Sequence, residues 1–328
     1  MKDVVQPWFE VLEEMGEFVG IRFGRVSGSS DEVDWIYKPH HEFDGIGGFA
    51  SILRSKGIEI ASLPETNQLS NNSWLSLLRL LPRFLGFRKV LQISQDIDKG
   101  ALEPVYSAPT PAYAWHVFSE DETSKIRSYG KSAGVTVNSL LLKHVSEVTR
   151  KHLDEPSEKV PWMIPVNLRG GIKQTPDTSN IFSYIAVNVS AEDSIKDIHN
   201  DIYAKLSNGE HWGTYKKYKM GYWLPIFIKK WLITSNRAVL QWNLGTFSNL
   251  GAWDLSEKAG ENTDKENWVF APPVTATQMI GVGCLTTNNR LSITIQLHPS
   301  LTTSVSVANA FLGDFVMLVK RDISQNSI

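Results

Sequence analysis

The chain has 328 residues, with 33 Lys plus Arg against 35 Asp plus Glu and a formal net charge of -2. That balance excludes the clearly basic surface of a general nucleic-acid binder. Hydrophobic residues at 42% and charged residues at 21% fit a globular chain with room for two ordinary domains, and the lone Cys284 excludes an intramolecular disulfide.

Pro7 to Met15 reads as a short helix, followed by extended segments near Phe18 to Val26 and Val33 to Tyr37 around the turn-rich Ser27-Gly28-Ser29-Ser30. A polar loop, Lys38 to Gly48, leads into a helix expected from about Phe49 to Lys56. Ser73 to Val90 is apolar and studded with Arg79, Arg83, Arg88 and Lys89, and Ser107 to Ala112 reads as a linker. The domain boundary is therefore placed between residues 106 and 107.

Ser119 and Glu122 have capping-box spacing ahead of a helix to about Ser132, and Asn138 is expected to cap a long helix through His152. Val160 to Val166 and Ile181 to Val189 read as strands, and Ile195 to Trp242 as a helical, aromatic region. Met279 to Leu285 and Leu291 to Leu297 bracket Thr287-Asn288-Asn289 as a hairpin, and Val305 to Lys320 reads as a final helix. Cys284, inside an apolar run, is expected to be a buried, inert thiol. The first residues carry no signal-peptide core, and no run reaches the roughly 18 uninterrupted apolar residues of a membrane span, so a cytoplasmic location is expected.

The segment Lys38-Pro39-His40-His41-Glu42-Phe43-Asp44-Gly45-Ile46-Gly47-Gly48 carries the strongest chemical signal. His40, Asp44 and Gly45 satisfy H-x-x-x-D-G. A base that takes a proton from an alcohol near neutral pH wants a pKa near 7, which imidazole supplies unaided. Asp44, four residues on, can fix the loop by pairing with an arginine elsewhere, and the glycines permit close approach of other backbone. A surface histidine pair beside a Gly-rich turn would share this pattern. Metal binding by His40, His41 and Glu42 is disfavoured, because adjacent side chains of an extended segment diverge and no further ligand cluster has familiar spacing.

His40 to Leu53 resembles the active-site signature of the CoA-dependent acyltransferase superfamily, which includes chloramphenicol acetyltransferase, peptide-synthetase condensation domains, plant BAHD enzymes and wax ester synthase/diacylglycerol acyltransferases. Phe118 to Leu153 resembles its helix pair, Ile164-Pro165-Val166-Asn167-Leu168-Arg169 its "P-V-N-L-R" strand end, and Thr246 to Gly251 its "S-N-L-G" segment.

The resemblance implies an α/β fold with two lobes of mixed sheets flanked by helices and a channel between them. Residues 1–106 would form the lobe with the motif, and residues 107–328 the second lobe. It implies that His40 is the general base and that Asp44, Gly45 and Arg169 shape the site, with Asp44 turned away from the substrate and bonded to Arg169. Ser248 or Thr246 would supply the oxyanion donor, with Asn249 at the substrate or bracing its loop. The donor would be a thioester of CoA or of an acyl carrier protein, a co-substrate rather than a resident cofactor, and the acceptor an alcohol or amine.

Two departures stand out. Many relatives carry a second histidine directly before the catalytic one, where this chain has Pro39. The motif also comes early, so the N-terminal lobe is expected to be reduced, or the chain to be an incomplete form of a longer protein. Aromatic and basic residues interleave in Ser73 to Val90 and Tyr215 to Trp231. They fit either helices covering a core or peripheral membrane contact, and the second would favour lipid substrates of the wax ester/diacylglycerol type. A condensation-type enzyme and a catalytically inactive ligand-binding member of the fold stay open beside it.

Overall fold

The structure, a computed structural model, describes residues 4–26, 33–60, 62–66, 75–78, 111–153, 159–239, 243–255 and 267–325. The 106/107 boundary and most of Ser73 to Val90 lie outside these residues.

Helix α1 (Gln6–Glu14) precedes β1 (Gly20–Val26) and β2 (Val33–Pro39), which pair antiparallel with Phe23 opposite Ile36. The third strand of this small sheet comes from far along the chain. It is β7 (Asn267–Ala271), which lies antiparallel to β1 with Phe23 opposite Phe270. Helix α2 (Gly45–Ser55) packs on this sheet, and Ile21, Phe23, Phe49, Leu53, Trp268 and Phe270 share its core. Among the described residues the small lobe thus has three strands.

The second sheet has six strands in the order β3 (Ala112–Val117), β9 (Arg290–Leu297), β8 (Ile280–Thr287), β6 (Gly245–Trp253), β4 (Val160–Asn167) and β5 (Phe182–Val189). β6 runs parallel to both β4 and β8, and the other pairings are antiparallel. Between β2 and β3 the described residues hold one short helix, α3 (Leu75–Leu78). One face of the large sheet is covered by α4 (Glu120–Ser132), α5 (Val137–Lys151), α6 (Ile195–Ser207) and α9 (Val305–Gln325). Alternate residues of the strands, including Trp162, Ile164, Phe247, Val282 and Cys284, point into that core. Burial there pushes the Cys284 thiol pKa up. The opposite face looks toward the small lobe.

The two lobes are joined tightly at β7. A Cβ on Gly283 of β8 would stand 1.8 Å from the carbonyl oxygen of Phe270, so β7 crosses directly over β8 only because position 283 is glycine. The strand is short and entirely buried, which is why no alternation marks it in the sequence.

Local signals behave as their chemistry dictates, with three corrections. Ser119 and Glu122 form the reciprocal capping box of α4, with Ser119 N–H donating to Glu122 Oε2 at 2.8 Å and Glu122 N–H to Ser119 Oγ at 3.1 Å. Asn288 and Asn289 both adopt positive φ, 48° and 61°, as a two-residue hairpin between right-twisted strands requires. Asn138 does not cap α5. The cap is Thr136, whose extended backbone lets its hydroxyl accept from Ser139 N–H, while Asn138 already lies in the first helical turn. Helix α2 starts at Gly45 rather than Phe49, because Asp44 caps it. Ala112, read as linker, is the first residue of β3.

The aromatic region divides into α6, α7 (Glu210–Gly221) and α8 (Ile226–Val239). Tyr215, Tyr218 and Tyr222 pack with Val4, Val5, Phe9 and Phe182, so this stretch does cover a core. Trp223, Phe227 and Trp231 are exposed at 81%, 68% and 64%, spaced four residues apart. Among the described residues no helix is long and apolar enough to cross a membrane.

His211, buried at the start of α7, is held neutral by loss of solvation, with a pKa of about 4. An unfolded imidazole titrates near 6.5, so between those values the unfolded chain binds the extra proton and folding weakens as pH falls. His144, also depressed by burial, acts in the same sense. Urea unfolding should therefore show stability declining from pH 7 to pH 4. His211→Gln should flatten the lower part of that profile, and an unchanged slope would contradict the assignment.

Candidate active site

His40 stands immediately after β2, in a turn closed by Phe43 N–H and Glu42 N–H donating to the Pro39 carbonyl at 3.0 and 3.2 Å. Within this turn the imidazole Nδ1 lies 2.8 Å from the carbonyl oxygen of Phe43. A carbonyl only accepts, so Nδ1 carries the proton and the neutral ring keeps the Nε2 lone pair free. The backbone is pinned as well, since Asn180 Nδ2 donates to the His40 carbonyl. The ring makes a triangle with two phenyl groups, its centroid 4.2 Å from that of Phe9 and 5.3 Å from that of Phe182. Burial by these neighbours lowers the His40 pKa, only partly opposed by the Phe43 carbonyl and the Asp44 charge. Its side chain nonetheless lines the cavity described below.

Asp44 does not reach for the histidine. Its Oδ1 accepts Gly47 N–H at 2.8 Å, and its Oδ2 accepts both Arg169 Nη1 and Ile181 N–H at 2.8 Å. Arg169, two residues beyond β4, also donates to Asn167 Oδ1 at 3.2 Å and to the carbonyls of Asp177 and Ser179 at 3.1 and 2.8 Å. Both side chains are only 6% exposed. The pair welds the turn after β2 to the loop before β5, where Phe43 and Ser179 also form an isolated bridge. The weld needs small residues. A Cβ on Gly47 would sit 2.0 Å from the Thr178 carbonyl oxygen, and one on Gly45 would meet Leu250 Cδ2 at 2.5 Å.

A cavity of about 190 Å³ lies between the open face of the large sheet and the small lobe. His40, Asp44, Gly45, Arg169, Thr246, Ser248 and Asn249 all line it, so every site residue expected from the sequence converges here. On β4 the lining residues are Met163, Pro165 and Asn167, the alternate positions to those buried under the helices, and on β6 they are Thr246, Ser248, Asn249 and Leu250, with the alternation broken where a bulge begins at Asn249. Thr246 Oγ1 lies 3.1 Å from Gln278 Oε1 and donates to it. Among the described residues Ser248 Oγ has no hydrogen-bond partner, so of the two hydroxyls it is the one left to serve a bound group. Asn249 braces a bulge in β6. It donates to Asn138 Oδ1 at 2.6 Å and accepts Gly251 N–H at 2.9 Å, with Gly251 at φ 80°.

Four contributors escaped the sequence reading: Phe9, Phe182, Asn180 and the loop from Pro272 to Gln278, which all border the cavity or hold His40. Their roles depend on contacts across long chain separations, and only the conspicuous Pro272-Pro273 pair marks the loop locally. His41 stays outside, paired with Glu13 of α1 at 3.1 Å. Among the described residues no cluster of His, Cys, Asp or Glu has the arrangement of a metal site.

The fold is similar to that of solved condensation domains. The structure is similar to polyketide synthase associated protein 5 from Mycobacterium tuberculosis, with 14% identity, a TM-score of 0.53, and 90% of this chain and 75% of that one covered. It is similar to the condensation domain of the Monacolin K polyketide synthase, with 10% identity, TM-score 0.53, and 94% and 73% covered. It also resembles the cyclization-docking bidomain from Sorangium cellulosum, with 10% identity, TM-score 0.56, and 88% and 59% covered. At such identity the likeness establishes the fold. The chain spans 61% of a further match, a condensation domain that mediates chain release from the enacyloxin polyketide synthase. No protein-family model and no curated protein sequence matches the chain.

Removing one partner of the Asp44–Arg169 pair leaves a buried charge uncompensated, which typically costs about 3–5 kcal/mol. Asp44→Ala should lower unfolding free energy by that order in urea titrations. A loss below about 1 kcal/mol would show that the pair is not the weld described.

Proposed function

We propose that the protein transfers an acyl group from a thioester to a hydroxyl or amine, with His40 as general base. The observation that carries this reading is the tautomer of His40: with Nδ1–H committed to the Phe43 carbonyl, Nε2 is an unprotonated base on a cavity wall. Nε2 takes the proton of the acceptor O–H or N–H as the acceptor's heteroatom bonds to the thioester carbonyl carbon. The resulting oxyanion needs a donor, and the unpartnered Ser248 hydroxyl is the group assigned to it. Collapse breaks the C–S bond, and the thiolate leaves with the proton held by His40. The products are an ester or amide and a free thiol, and no acyl-enzyme forms.

Two of the structural neighbours are condensation domains of polyketide synthases, which favours a thioester donor borne on a carrier protein, with CoA as the simpler carrier of the same group. A lipid alcohol as acceptor, and peripheral contact with a membrane, is a second reading. It is favoured by the exposed row Trp223, Phe227 and Trp231.

Thioester cleavage should be followed with acyl-CoA and acyl-carrier substrates in the presence of alcohol and amine acceptors. His40→Ala should reduce turnover by about 10²–10⁴-fold with folding intact, and Ser248→Ala by about 10²–10³-fold in kcat. Undiminished turnover in His40→Ala removes the site. Because burial lowers the His40 pKa, the acidic limb of kcat/KM should fall below the ordinary imidazole value of about 6.5. A limb above that value would contradict a desolvated base.

A further inference from the structure

The chemistry of the cavity walls says what can occupy them. Two charged side chains line the cavity, Asp44 and Arg169, and they neutralise each other. Both Asp44 oxygens already accept hydrogen bonds, and Arg169 donates through all three of its guanidinium nitrogens to protein acceptors. Most remaining polar groups are also engaged. Asn167 donates to the Pro64 carbonyl, Thr246 pairs with Gln278, and Thr275 pairs with Thr277. An ammonium or carboxylate brought here would lose its hydration with no counter-charge to replace it. The rest of the wall is hydrocarbon and aromatic, from Ile21, Ile46, Met163, Phe182, Leu250 and Phe270.

One side of this wall is α1, through Trp8, Phe9 and Leu12, with Val5 at its N-cap. Trp8 is fixed there by three contacts. Its ring meets Tyr218 edge-on at 6.0 Å, and it presses so closely on Gly221 that a Cβ there would stand 2.3 Å from Trp8 Cζ2. Lys229 Nζ, anchored at 2.9 Å to the Tyr222 carbonyl, lies 5.8 Å over the indole. Phe9, one residue on, packs against His40 itself. A chain that begins at the reacting centre beside His40 and runs along α1 therefore passes Phe9 and meets a rigid indole.

We propose that the cavity is a pocket for an uncharged hydrocarbon chain, with Trp8 as the residue that limits its length. This rests on the acyl-transfer reading for its place in a reaction, but not for binding. The chain can belong to the acyl group or to the acceptor, since the wall recognises the same chemistry in both.

Calorimetric titration of the whole protein with S-alkyl pantetheine thioethers, which cannot transfer, and in a second arm with 1-alkanols, tests the pocket and distinguishes the two sources. In the arm that fills the pocket, affinity should rise by about fourfold per methylene and then level off at a definite length. Replacing the terminal methyl by an ammonium or carboxylate should weaken binding by about tenfold or more. Trp8→Ala should move the levelling point to longer chains, and Leu12→Phe to shorter ones. The second variant decides the matter if the first does not fold. Equal affinity for charged and methyl ends, the same levelling point in wild type and folded variants, or length-independent binding in both arms overturns the proposal. Length-selective binding without turnover would sink the transfer reading and leave the pocket standing. Turnover without length selectivity would do the reverse.

Discussion

The fold around the cavity depends on a charge pair that faces away from the chemistry. Asp44 and Arg169 lie 125 positions apart in sequence and are joined at 2.8 Å with both side chains almost fully buried. Two ions removed from water each carry a penalty of several kcal/mol, which additional hydrogen bonds to both groups offset. Gly47 N–H and Ile181 N–H also donate to the carboxylate, and three carbonyl or amide oxygens also accept from the guanidinium. One carboxylate thereby caps α2, fixes the turn that carries His40, and ties that turn to the large lobe.

That weld divides the work between neighbours. The negative charge four residues from His40 is spent on arginine, so the imidazole is oriented by a neutral carbonyl and surrounded by phenyl rings. A histidine so placed stays uncharged to lower pH than it would in water. The same hydrocarbon surroundings give the cavity its preference for uncharged groups. Close approach at Gly47 and Gly283 brings the lobes near enough to share one cavity, so base, hydroxyls and hydrocarbon wall belong to a single packed seam.

Much of this was legible in the sequence where the governing physics is local. The spacing of His40, Asp44 and Gly45 marked the turn, the capping-box pair Ser119 and Glu122 marked α4, and two adjacent asparagines marked the β8–β9 hairpin. The partnership of Asp44 with Arg169 came from family resemblance, and the geometry agrees with it. What the sequence hid was long-range. β7 is five residues buried on both faces, without alternation, and its membership of the first sheet is decided by a partner some 250 positions away. Asn180 and Phe182 matter only because the weld delivers them to His40. Asn138 misled because Asn is among the preferred N-cap residues and ranks above Thr. Thr136 occupies the extended position, and Asn138 is drawn instead to Asn249.

The most direct test of the account is the tautomer of His40, read from ¹⁵N-resolved NMR of the imidazole near neutral pH in the intact protein. The account predicts a proton on Nδ1 and a bare Nε2, with Nδ1 hydrogen-bonded to a carbonyl. A proton on Nε2, or a ring already doubly protonated at that pH, would contradict it, because the nitrogen assigned to take the acceptor's proton would have no lone pair to offer.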